Sequence, residues 1–167
     1  MSCLGVHFAL TEEEVSKLCS FNDEQARLNH LKEVIEEVYF EKYENYLAES
    51  DKSWDAMHRA LADGELTWDG GKYPLNHTVL GGEILYTQTD YIMSLKTPSQ
   101  VIEVSKSLQN LDETQFKKLY NKINPKTYSV DLSQEDLDYT WEWFKNVRTL
   151  FQHASKDNRY VLFTADQ

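Results

Sequence analysis

Asp55 and His58 stand three residues apart in the stretch KSWDAMHRALADGE, and on a helix that spacing puts both side chains on one face. A carboxylate beside an imidazole can orient a general base or contribute to a metal site. Trp54, Met57 and Leu61 form the apolar stripe of the same helix, so His58 is equally well placed as a packed core histidine. Asp55 falls in the first turn, where negative charge suits the helix dipole without any chemistry. A small-molecule pocket between helix 53–62 and loop 65–82 would draw on Trp54, Asp55, His58, Trp68, Tyr73 and His77, with Gly81 and Gly82 in the turn beyond.

Metal chemistry has a sharper test. His30, Glu33 and Glu37 share one helical face, and with Asp55 and His58 they would make five ligands if the two helices were antiparallel neighbours. Carboxylate sites in helix bundles use a repeated Glu-x-x-His, and zinc sites use H-E-x-x-H or paired C-x-x-C; none of these patterns occurs. The glycine pair at 81–82 lacks the spacing of a phosphate-binding loop, and no serine sits in a G-x-S-x-G frame. Cys19 lies near a helix end, where the dipole raises a thiol pKa, and reads as a buried structural thiol. The sequence therefore assigns no catalytic residue, metal or cofactor.

Electrostatics restricts the partners. The 28 acidic and 17 basic residues give a net charge of −11, which repels nucleic-acid phosphates and anionic membrane surfaces. No apolar run approaches the ~18 residues of a membrane span. Two cysteines make no disulfide framework, and the opening MSCLGVHFAL has no basic region ahead of a long apolar stretch. The expectation is a cytoplasmic chain with reduced thiols, in which the NHT sequon at 76–78 is idle. An acidic surface attracts basic proteins and cationic ligands.

The elements that must position these residues follow from pattern. Residues 3–10 alternate, with Leu4, Val6, Phe8 and Leu10 on one side, which predicts a strand with one buried face. Thr11 and Glu14 form a capping box for a short helix. A longer helix is predicted over 23–49, with Leu28, Leu31, Ile35, Val38 and Tyr39 on one stripe and Glu33, Glu37, Glu41 and Glu44 on another. Like charges at i and i+4 cost such a helix about 0.2–0.5 kcal/mol per pair, so local propensity did not select the acidic stripe. Ser53 and Gly64 bracket the next helix, Thr97-Pro98 with Gln100 opens another, and a further one spans about 112–123. Ser133 caps a long helix carrying Leu137, Trp141, Phe144, Val147 and Phe151, and RYVLFTA closes the chain as a strand. Irregular alternation of helix and strand predicts an α+β fold, a single domain over 1–167 with a small sheet that includes the first and last strands.

The segments CLGVHFALTEEEV, KSWDAMHRAL, YPLNHTVLGGEIL, SLKTPSQVIEVSKSL and WFKNVRTLFQHASKDNRYVLFTAD occur in order over nearly the whole chain. Together they resemble the YfbM-like family, a bacterial group built on a domain of unknown function. Trp54, Leu61, Leu80, Gly81 and Gly82 carry the central part of the pattern, whereas the lead-in TDYIMSLK departs from it. The resemblance implies a cytoplasmic α+β protein and supplies no catalytic residues.

Two functional expectations result. The first is a protein-binding module, an immunity- or antitoxin-like neutraliser of a basic partner, presenting Glu33, Glu37, Glu41 and Glu44 with Tyr39, Tyr43 and Tyr46 as aromatic anchors. The second is a small-molecule binder or enzyme that uses the pocket around helix 53–62.

Overall fold

A computed structural model describes residues 3–167. Strand β1 (Gly5–Leu10) runs antiparallel beside the last strand, β5 (Tyr160–Asp166), from Gly5 opposite Ala165 to Leu10 opposite Tyr160. Three shorter strands complete an antiparallel sheet: β2 (Leu47–Asp51), β3 (Glu83–Ile84) and β4 (Tyr91–Lys96), in the order β2-β1-β5-β4-β3. The fold is α+β, with the first and last strands paired at the centre of the sheet.

Both faces of the sheet are covered, which corrects the expectation of a single buried face. Phe8, Leu10, Leu162, Met93 and Leu95 point toward α1 (Glu12–Cys19), α2 (Glu24–His30) and α3 (Glu37–Lys42), where they meet Leu18, Leu31, Ile35 and Tyr39. Ala9, Val161, Phe163 and Ile92 point the other way, against α4 (Trp54–Leu61), α5 (Pro98–Gln109), α6 (Glu113–Tyr120) and α7 (Gln134–Lys156). Alternation along β1 therefore sorts residues between two cores rather than between core and water. No helix among the described residues is long and apolar enough to cross a membrane.

Local capping chemistry sets the helix starts. Thr11 accepts from the Glu14 amide while Glu14 accepts from the Thr11 amide, and Thr97 with Gln100 and Asp112 with Gln115 repeat the device. Ser133 caps α7 through the Asp136 amide. Ser53 does not cap α4: its hydroxyl donates back to the Ser50 carbonyl at 2.6 Å.

The helix expected over 23–49 stops at Lys42. Between α2 and α3 the backbone widens into a π-helical segment, Leu31–Glu36, which keeps Leu31 and Ile35 in the core. Tyr43 then leaves helical geometry, and residues 47–51 form β2 on the outer side of β1. Pairing with an open strand outweighs the helical pattern that the glutamates imply. Cys19 is likewise exposed rather than buried. Neighbouring desolvation and Glu83 raise its thiol pKa.

Gly82 is held at φ +131°, and a side chain there would collide with the Leu95 carbonyl. Gly82→Ala should cost about 1–3 kcal/mol, read as a lower urea midpoint with an unchanged slope.

Candidate functional site

The arginines are drawn into the fold, partly or fully buried, whereas most lysines and carboxylates stay outside. Every arginine donates to a main-chain carbonyl. Arg27 reaches Leu18, Phe21 and Leu85. Arg59 reaches Thr127, Arg148 reaches Leu111, and Arg159 reaches Ala9. The ion pairs among the described residues are Asp55–Arg59, Glu65–Arg59 and Glu142–Lys145. Glu33, Glu37, Glu41 and Glu44 are exposed and belong to none of them.

Along the segment that carries these carboxylates, Val34, Phe40 and Tyr43 are 46%, 49% and 42% exposed. Sequence reasoning found Tyr43 but missed Val34 and Phe40, although both fall outside the stripe formed by Leu28, Leu31, Ile35 and Tyr39. Tyr39 is not a surface anchor. It is buried, with its hydroxyl 2.6 Å from Glu14 Oε2 and 3.0 Å from the Ala9 carbonyl oxygen. Burial and the Glu14 carboxylate push its pKa above the ordinary tyrosine value. Tyr46 is half-buried and occupied within the chain: its hydroxyl donates to Asp157, and the Arg159 guanidinium lies 3.6 Å over its ring. Beside the acidic face, α1 and the π-helical segment enclose a groove of about 470 Å³ lined by Val34, Ile35 and Val38, with Glu13, Lys17 and His30 at its rim.

The pocket candidates do not converge on one cavity. Trp54 is buried against Phe163 and donates to the Cys3 carbonyl at 2.8 Å. Asp55 lies 2.5 Å from Arg59 Nε, so it fixes an arginine rather than orienting His58. His58 is buried, 2.7 Å from the Thr67 carbonyl oxygen through Nε2 and 3.5 Å from the Leu80 amide through Nδ1. Trp68 and Tyr73 are exposed, and the Tyr73 ring meets His77 edge-on at 4.9 Å. Gly81 is buried in a turn where its amide donates to the Asn76 carbonyl, and Gly82 follows it into β3. A cavity of about 270 Å³ takes in Trp54 and Asp55 with Tyr128, whereas Trp68 borders a separate cleft beside Ile84 and Tyr91. The five-residue metal set is also split: His30, Glu33 and Glu37 belong to the helices on one sheet face, while Asp55 and His58 belong to α4 on the other.

The structure adds a buried basic cluster where residues 76–80 cover the sheet. Lys96, fully buried at the end of β4, donates to the carbonyls of Val79 and Ser94 and to Ser94 Oγ, which itself donates to the Leu80 carbonyl. His7 Nε2 lies 2.8 Å from the Thr78 carbonyl oxygen, while His7 Nδ1 and Thr78 Oγ1 have no partner among the described residues. Burial pushes Lys96 well below its ordinary pKa, His7 down to about 3 and His58 down to about 4. Lys96 reinforces the shift at both histidines, and Asp63 opposes it at His58. No sequence pattern marks this cluster, because YIMSLK is buried at every position and so loses the alternation of a half-exposed strand.

A family model described as a domain of unknown function, DUF1877, matches residues 1–164. The crystal structure of YfbM from Escherichia coli, a protein of unknown function, has the same fold, with a TM-score of 0.63 and 18% identity over 98% of this chain and 99% of that one. No curated protein sequence matches.

The buried histidines set an acid limit on stability. Their folded-state pKa values lie below the unfolded value near 6.5, so the unfolded chain binds more protons under acid conditions. Stability should be constant above about pH 7 with respect to these two groups, fall as pH drops below 6.5, and lose on the order of 3 kcal/mol for His58 alone by pH 4. Urea unfolding at stepped pH checks this, and His58→Asn, if it folds, should flatten the decline.

Proposed function

The chain belongs to the DUF1877 family, whose model spans nearly all of it, and from its surface we propose that this protein is an acidic protein-binding module that engages a basic protein through the exposed side of α2, the π-helical segment and α3. The observation that carries the reading is the unpaired row Glu33, Glu37, Glu41 and Glu44, interleaved with exposed Val34, Phe40 and Tyr43. Carboxylates free of internal partners keep their long-range field and steer a cationic partner during encounter. Exposed apolar and aromatic groups among them supply area that is desolvated on contact, the property of interface anchors. The neighbouring groove lined by Val34, Ile35 and Val38 extends that apolar area. Neutralisation of a basic toxin, in the manner of an immunity protein or antitoxin, is the sharpest form of this proposal.

Capture from the native cell at low salt should retrieve a basic protein. Its association rate should fall steeply as ionic strength rises through the range where the Debye length shrinks below about 10 Å. Glu37→Lys combined with Glu41→Lys should weaken the complex about tenfold or more, mainly through slower association. An unchanged affinity would remove this surface from the interface.

A further inference from the structure

The outer edge of the sheet carries a second recognition feature, of a different kind from the acidic helix face. In an antiparallel sheet, successive residues direct their main-chain groups alternately to one neighbour and the other. The Leu85 amide donates to the Met93 carbonyl at 2.9 Å, so Met93 faces β3 and Thr164, opposite it, faces β1. Val6 then faces β5, and Phe8, two residues on, does the same. Glu49 opposite Val6 and Leu47 opposite Phe8 must therefore turn their N–H and C=O groups away from β1. None of these four groups pairs with another strand among the described residues. The irregularity in the pairing lies between Gly5 and Val6 and leaves this stretch in register.

Two hollows of about 380 and 260 Å³ lie along this edge and share Glu49 and Trp143. Their apolar lining includes Leu47, Leu150 and the half-buried Trp143. Glu44 and Glu49 line one hollow and Glu49 and Asp51 the other, while no lysine or arginine lines either. His153, which borders the first, is engaged through Nδ1 with the Asn45 carbonyl.

We propose that β2 is a strand-addition site for an extended, basic segment of a protein partner. Main-chain groups of the segment would pair with Leu47 and Glu49, its lysine or arginine side chains would meet Glu44, Glu49 and Asp51, and an apolar residue would rest on Trp143. Free edge groups provide affinity in this mode, and the flanking side chains provide selectivity. A second copy of this chain is the poorer occupant, because β2 against β2 would bring the carboxylates of two acidic edges together. The proposal shares only Glu44 with the helical face and rests otherwise on different groups.

The test uses the full chain with a short acetylated peptide that alternates lysine with valine. Its backbone N-methylated counterpart and a glutamate-for-lysine version serve as controls, and amide hydrogen exchange is read residue by residue. The lysine peptide should slow exchange at Leu47 and Glu49, and the two control peptides should not. Glu49→Lys should weaken binding about tenfold or more, whereas Glu37→Lys with Glu41→Lys should leave it unchanged. Equal binding of the N-methylated peptide, binding without protection of Leu47 and Glu49, or no binding would overturn the proposal. So would protection that appears with rising protein concentration alone, which would identify a second copy as the occupant.

Discussion

The pairing of β1 with β5 is the constraint on which the rest of the structure depends. It joins residues 5–10 to residues 160–166, so the two strands at the centre of the sheet lie at opposite ends of the described sequence. Neither has a stable partner until the intervening helices and strands are made, because a lone two-stranded ribbon is marginal in water. Once joined, they present Phe8, Leu10 and Leu162 to one core and Ala9, Val161 and Phe163 to the other. Both helical layers therefore depend on one long-range register, an arrangement in which folding is slowed by loop closure.

Within that frame, the arginines are used differently from the surface charges. Arginine side chains bind carbonyls at the ends of helices and strands, where main-chain acceptors would otherwise be unsatisfied. Lys96 does the same for the segment over the sheet, without a carboxylate in contact. Arg27, Arg148 and Arg159 are engaged by carbonyls and by no carboxylate among the described residues, so fewer cations are free to offset the exposed carboxylates. Structural demand inside the protein thus sharpens the field outside it.

Local chemistry was visible in the sequence, and long-range chemistry was not. Thr11, Thr97 and Ser133 declare their helices within four residues, and the apolar rows of α4 and α7 keep a helical period. β2 was hidden because LAESD has no strand signature apart from its fit to the outside of β1. β4 was hidden because six buried positions remove the period that identifies a strand. The acidic row was legible as spacing, but Tyr39 passed for a surface anchor, since one-dimensional spacing does not record that Glu14 and Ala9 wait for its hydroxyl. The main-chain groups along β2 have no representation in residue types at all.

The π-helical segment ties the identity of a surface to the winding of the backbone. Over Leu31–Glu36 the chain turns more slowly than an α-helix, so the angular position of every residue beyond it includes that lag. A residue removed there would be absorbed by a return to ordinary winding, because five α-helical residues turn through about the same angle as six in the wider coil, and α3 would keep its orientation relative to α2. Tyr39 would stay turned toward the core, with Phe40 and Glu41 outside it. In evolutionary terms, a single-codon deletion at this point can leave the exposed face intact, whereas the same deletion in ordinary α-helix would turn every residue beyond it by about 100°.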